Sequence, residues 1–95
     1  MGGLTVAAVF EAEMSPEQAN QLAELMREAR PTRPEGVITA ALHVEDGTVR
    51  LVAYWRDRET LDTYLATADV PRGVELMRKV GVEPAWRIVD VLELG

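Results

Sequence analysis

Between Gly36 and Arg56 two apolar runs, VITAALHVE and TVRLVAYW, are separated only by Asp46 and Gly47. A two-residue loop between paired strands takes the type I′ form when both central residues accept positive φ, and Asp-Gly is a preferred pair for that form. The loop sets the pairing. Glu45 faces Thr48, and the ladder steps outward through Val44 with Val49, His43 with Arg50, Leu42 with Leu51, Ala41 with Val52, Ala40 with Ala53, Thr39 with Tyr54 and Ile38 with Trp55. Opposite residues share a face, so one face collects Ile38, Ala40, Leu42, Val44, Val49, Leu51, Ala53 and Trp55. The other collects Thr39, Ala41, His43, Glu45, Thr48, Arg50, Val52 and Tyr54, apolar in the middle and polar toward the loop.

The rest of the chain supplies what packs on this hairpin. Leu4 to Glu13 reads as a strand with apolar residues on both sides, as a strand covered on two faces requires. Ser15 can cap a helix, Pro16 suits its first position, and Gln18 stands where a capping box places its reciprocal partner. Over Pro16 to Arg30 the residues Ala19, Leu22, Ala23, Leu25, Met26 and Ala29 form the apolar stripe, with Met26 read as a gap filler. The helix is expected to stop before Pro31, and PTRPEG reads as a loop. Asp57 caps a second helix carrying Leu61, Tyr64, Leu65 and Ala68, and a short third helix packs through Val74, Met77 and Val80 and ends at Gly81. After Pro84 a last strand is expected from Ala85 to Leu94, again apolar on both sides.

Strand, helix, strand, strand, helix, strand is the split βαβ, ferredoxin-like plan: an α+β fold with an antiparallel sheet and helices on one face. The second apolar face then needs another cover, and a second copy of the chain is the simplest, so a homodimer is expected. At 95 residues the chain is read as a single domain, 1–95. Ten Lys and Arg stand against 16 Asp and Glu, giving a net charge of −6, which argues against a nucleic-acid surface. There is no cysteine, no apolar run of membrane-spanning length, and no basic segment ahead of the first apolar residues. A cytoplasmic protein with no nucleic-acid or membrane partner is the expectation.

Few residues offer chemistry. His43 is the only histidine and suits a general base near neutral pH, or else a polar residue at the rim of a dimer face. Asp90, between Ile88 and Leu92, would act as acid or base if desolvated, or would sit at an edge or against an arginine. Trp55 reads equally as pocket wall and as core. Tyr64 could bond a substrate oxygen or simply pack its ring. Arg78 could reach an anionic substrate or serve its helix as a last-turn cation. A mostly apolar pocket is expected under the helices, walled by Trp55, Leu51, Leu42 and the helix from Pro16 to Arg30. No metal-ligand cluster, phosphate loop or nucleophile–base arrangement is present, so no metal and no cofactor is expected.

The segment GVITAALHVEDGTVRLVAYWRDRETLDTYLA, a glycine-led strand, a tight turn, a strand ending in two aromatic residues, a polar run and a helix, resembles the antibiotic biosynthesis monooxygenase family of dimeric α/β-barrel proteins. That resemblance implies a small hydrophobic or aromatic ligand and a cofactor-independent monooxygenase acting on an aromatic, polyketide-like or quinol substrate. It also implies a pocket between helices and sheet lined by the tryptophan that closes the third strand, here Trp55. Two positions depart from the family pattern. Leu51 stands where a catalytic asparagine is often found, which favours the alternative of a non-catalytic dimeric binding or accessory module. The histidine of the haem-degrading branch has no counterpart on the following helix, where Leu61, Tyr64 and Leu65 are the packing residues.

Overall fold

At the turn of the hairpin Asp46 and Gly47 have φ of 49° and 81°, the two positive values that the type I′ loop requires. The computed structural model describes residues 5–94, so the expectation for Leu4 lies outside the described residues. Its elements are β1 (Val6–Glu13), α1 (Pro16–Ala29), a 3₁₀ turn (Arg30–Thr32), β2 (Val37–Glu45), β3 (Thr48–Trp55), α2 (Arg58–Thr67), α3 (Arg72–Lys79) and β4 (Ala85–Asp90). The strands form one antiparallel sheet in the order β2-β3-β1-β4. This is the α+β ferredoxin-like fold, with the β1–α1–β2 crossover split by β3.

The hairpin register runs as expected from Glu45 opposite Thr48 to Thr39 opposite Tyr54, and then departs from it. Val37, not Ile38, faces Trp55, because the ladder skips one residue between Val37 and Thr39. Ile38 is the extra residue of a bulge and is 49% exposed. The bulge turns Val37 toward the core, which it joins.

β1 is the central strand that its two-sided apolar pattern demanded, with Val6 to Phe10 all buried. Pairing with β3 and β4 extends its rows across the sheet. On the helix side one row is Ala40, Ala53, Ala8 and Ile88, the next Leu42, Leu51, Phe10 and Trp86, and a third brings Trp55, Val6 and Asp90 together. On the opposite side the rows are Thr39, Tyr54, Ala7 and Val89, then Ala41, Val52, Val9 and Arg87, then His43, Arg50, Glu11 and Ala85.

β4 ends at Asp90, short of the expected Leu94, because its partner strand gives out. Val91 makes one last bond, its N–H donating to the Thr5 carbonyl at 2.8 Å, and Leu92 beyond it is 88% exposed. β4 is also an edge strand, so its apolar pattern is mostly uncovered within one chain.

The helices begin and end where local chemistry supports them. Ser15 Oγ accepts from the Gln18 N–H at 3.1 Å, and Gln18 Oε1 accepts from the Ser15 N–H at 2.9 Å, closing the capping box. The Gln18 amide also donates to the Val80 carbonyl at 2.9 Å, which ties the start of α1 to the end of α3. Asp57 Oδ1 accepts from the Thr60 N–H at 2.8 Å and caps α2. This bond, the largest cause, holds its carboxyl below the usual aspartate value. α3 closes in a Schellman motif: Gly81, at φ 89°, donates to the Arg78 carbonyl, and Val82 donates to that of Met77. After α1, Arg30–Thr32 forms a 3₁₀ turn rather than a plain loop. Pro31 has no N–H to lose there, and the Thr32 hydroxyl donates to the Ala29 carbonyl at 3.1 Å.

The core lies between sheet and helices and is built on Val6, Phe10, Leu22, Val49, Leu51, Trp55, Leu61, Val74 and Met77. Among the described residues no helix is long and apolar enough to cross a membrane.

Candidate functional site

Packing between helices and sheet is not continuous. A cavity of about 400 Å³ lies over the middle of the sheet, within the roughly 300–1,000 Å³ range typical of small-molecule pockets. The hollow follows from the row of three alanines. Ala40, Ala53 and Ala8 stand side by side on β2, β3 and β1, and all three line the cavity. Short side chains there leave a trough, flanked along the strands by Leu51 and Phe10 in one direction and by Trp55 in the other.

Met26 and Ala29 of α1, Leu61, Tyr64 and Leu65 of α2, and Gly73 and Leu76 of α3 contribute the helical walls. Gly73 lets α3 come close: a Cβ built there would lie 2.5 Å from the Phe10 ring. Phe10 in turn stacks on Trp86, with centroids 5.7 Å apart. Trp55 is 3% exposed and meets the Tyr64 ring at 5.1 Å.

The polar lining is concentrated in a few groups. Arg30 is exposed, Arg33 and Arg72 are half-buried, and all three line the cavity. The Arg72 guanidinium is tethered to the 3₁₀ turn, donating to Thr32 Oγ1 at 3.5 Å and to the Thr32 carbonyl at 3.3 Å. Its nearest carboxylate is Glu75, at 3.9 Å. The Tyr64 hydroxyl accepts from the Arg72 backbone N–H at 2.8 Å and so caps the first turn of α3.

The sequence candidates divide. Trp55, Leu51 and Tyr64 line the cavity together. Leu42 packs against the core without lining it. Arg78 is exposed and outside the cavity, where Glu83 accepts its two hydrogen bonds at 2.7 and 3.0 Å. That pairing raises the Arg78 pKa and lowers that of Glu83.

His43 lies exposed on the opposite face of the sheet, across from Arg50, whose guanidinium bonds Glu11 and also pairs with Glu45 at 3.6 Å. Asp90 is exposed at the end of edge strand β4, on the helix side but away from the cavity. Met26, read as filler, lines the cavity while packing on the core. Among the described residues no group of three or more His, Asp or Glu side chains could hold a metal ion.

Sequence reasoning missed the alanine floor and the arginines. The floor had a visible half, since the hairpin register already placed Ala40 against Ala53. Its other half depended on how β1 pairs. Arg30 and Arg33 flank a turn and Arg72 opens α3, and no local pattern joins them.

A one-sided helical layer on a four-stranded antiparallel sheet, hollowed over its centre, defines a class of small α+β ferredoxin-like proteins. Within that class this chain belongs to the antibiotic biosynthesis monooxygenase family, whose model matches residues 5–89. No curated protein matches it in sequence.

Several solved structures share the fold. A monooxygenase from the ActVA-Orf6 gene of Streptomyces coelicolor, in complex with nanaomycin D, is 17% identical with a TM-score of 0.67, over 97% of this chain and 90% of that one. A heme-degrading protein from Mycobacterium tuberculosis is 12% identical with a TM-score of 0.67, over 99% of both chains. A protein of unknown function from Nitrosomonas europaea is 15% identical with a TM-score of 0.67, over 100% of this chain and 96% of that one. At such identities the likeness is one of fold. Three relatives with one architecture carry three different descriptions, so the reaction has to be argued from the site.

Proposed function

We propose that this protein is a cofactor-independent monooxygenase that oxidises an aromatic, polyketide-like or quinol substrate held between its helices and its sheet, and that it works as a homodimer. The observation that carries the reading is the alanine-floored cavity walled by Trp55, Leu51 and Tyr64, in a chain of the monooxygenase family. The nanaomycin complex of the Streptomyces relative supports an aromatic, polyketide-like ligand by analogy.

For an anthrone-type substrate the balance is simple. The substrate loses a proton to give an electron-rich carbanion, dioxygen adds at that carbon to give a peroxide anion, and this takes up a proton from water and collapses to a carbonyl as its O–O bond breaks and water leaves. The protein supplies desolvation and orientation: Trp55 and Phe10 give flat apolar surfaces, and the Tyr64 hydroxyl offers a hydrogen bond to a substrate oxygen. His43 and Asp90 lie outside the cavity, so the proton leaves to water at the open side.

The dimer is supported by the other face. Ala41, Val52 and Tyr54 are half-buried there and Val89 is exposed, beside the already buried Ala7 and Val9, while every helix that contributes to the core packs on the opposite side. A partner sheet would cover them.

A second reading, a dimeric module that binds a small hydrophobic molecule without transforming it, is favoured by one observation. Among the described residues no carboxylate or imidazole lines the cavity, and Leu51 is apolar where an orienting amide would help catalysis. Oxygen uptake with anthrone and quinol substrates in metal-free buffer separates the two. Turnover above the uncatalysed background, weakened in Trp55→Phe, supports the enzyme; background rates for every substrate, with binding retained, leave the module.

A further inference from the structure

We infer that the cavity takes its ligand as an anion: a flat apolar body carrying one negatively charged oxygen group, which the lining arginines hold. The inference rests on the cavity being the ligand site and adds the charge state of the ligand.

Donors dominate the polar lining. Arg30, Arg33 and Arg72 all line the cavity, and a guanidinium offers hydrogen-bond donors and no acceptor. The Tyr64 hydroxyl already accepts from the Arg72 N–H, which leaves its proton to donate. Among the described residues no carboxylate lines the cavity to neutralise these groups. Among the described residues neither Arg30 nor Arg33 has a carboxylate at ion-pair distance, and Arg72 has one only at 3.9 Å. The chain carries six more acids than bases, so three arginines around one hollow are not its general background.

The absence of a base from the lining then has a chemical meaning. Cationic neighbours favour the ionised form of a bound acid. A phenol or enol entering this cavity has its own pKa lowered by the arginines, and its proton passes to solvent without a side-chain acceptor. An aromatic carboxylate, already ionised, satisfies the same donors.

Calorimetric titration of the full chain with 2-naphthoate and with the neutral 2-naphthamide tests the charge preference at constant shape. The acid should bind about tenfold tighter or better at neutral pH and low salt, as hydrogen bonds to a charged group allow. The double variant Arg30→Gln/Arg33→Gln, altered at positions that the fold leaves solvent-accessible, should lose most of that advantage while holding the amide as before. Equal binding of acid and amide overturns the inference and leaves the cavity intact as a ligand site. An acid preference that persists undiminished in the double variant also overturns it. If neither probe binds, the cavity reading falls and the inference with it.

A third probe, 2-naphthol, distinguishes a phenolate ligand from a carboxylate. Its absorbance should show ionisation at lower pH when bound than when free. No shift, or the upward shift that an apolar cavity alone would cause, overturns the phenolate form.

Discussion

The two faces of the sheet are made from the same strands and end in opposite conditions. On the helix side the central row is Ala40, Ala53 and Ala8, and three helices arch over it without filling the space they enclose. On the other side the central rows carry Val52 and Tyr54, half-buried with no helix to meet them, beside a buried Val9. Small residues under a roof leave a cavity, and larger ones without a roof leave a half-covered apolar surface. Side-chain size alone therefore does not say where a protein is hollow; size together with what stands above it does.

The contrast can be broken most forcefully at Val52. In the proposed dimer an aspartate there would be buried without a partner, a loss on the order of 3–5 kcal/mol. Light scattering should show about twice the 10.5 kDa chain mass for the wild type and a monomer or an unfolded chain for Val52→Asp. A monomeric wild type, with the variant equally stable, would remove the partner from the comparison.

A smaller loss is expected on the helix side from Gly73→Ala. The new methyl group would meet the Phe10 ring, which Trp86 backs, so α3 must lift from the sheet at a cost of about 1–3 kcal/mol, readable in urea unfolding. A stabilised variant would mean that the ring yields freely and the alanine gains its helix propensity instead.

Ala53→Leu sharpens the comparison with little effect on stability, within about 1.5 kcal/mol, because the cavity receives the added carbons. Ligand binding should nevertheless disappear. Trp55 emission in a Trp86→Phe background reports both, and an unchanged ligand response would place the binding site elsewhere.

The smallest effect concerns the roof and is seen only through pH. The Thr60 N–H bond lowers the folded pKa of Asp57 below its ordinary 3.8, so its contribution is present above that value and is lost as pH falls through the folded pKa. The gap in urea midpoint between wild type and Asp57→Ala should be widest near neutral pH and close in acid. A gap independent of pH would show that the cap acts without its charge.

Much of this architecture was legible before any coordinates. The Asp46-Gly47 turn dictated the hairpin register over most of its length, because a side-chain period of two leaves no freedom once the loop is known. Ser15, Pro16 and Gln18 announced α1, and Asp57 announced α2, because capping is satisfied within a few residues. Trp55 and Leu51 fell in the cavity because they lie on the helix side of that same hairpin. Where the reading slipped, the cause was an event that local sequence does not encode: the bulge that moved Ile38 aside, and the end of β1 that cut β4 short at Asp90.

What only the tertiary structure decided was which distant residues share a site. Ala8 completes the floor through the pairing of β1 with β3, and Arg72 joins Arg30 and Arg33 because α3 docks beside the 3₁₀ turn. The same folding left His43 on the far face and Asp90 at the sheet edge, although both looked eligible by residue type. Turns, caps and periodicity are settled by neighbours along the chain, and so they can be read from it. A cavity is settled by what its walls leave unfilled, which depends on contacts between residues dozens of positions apart.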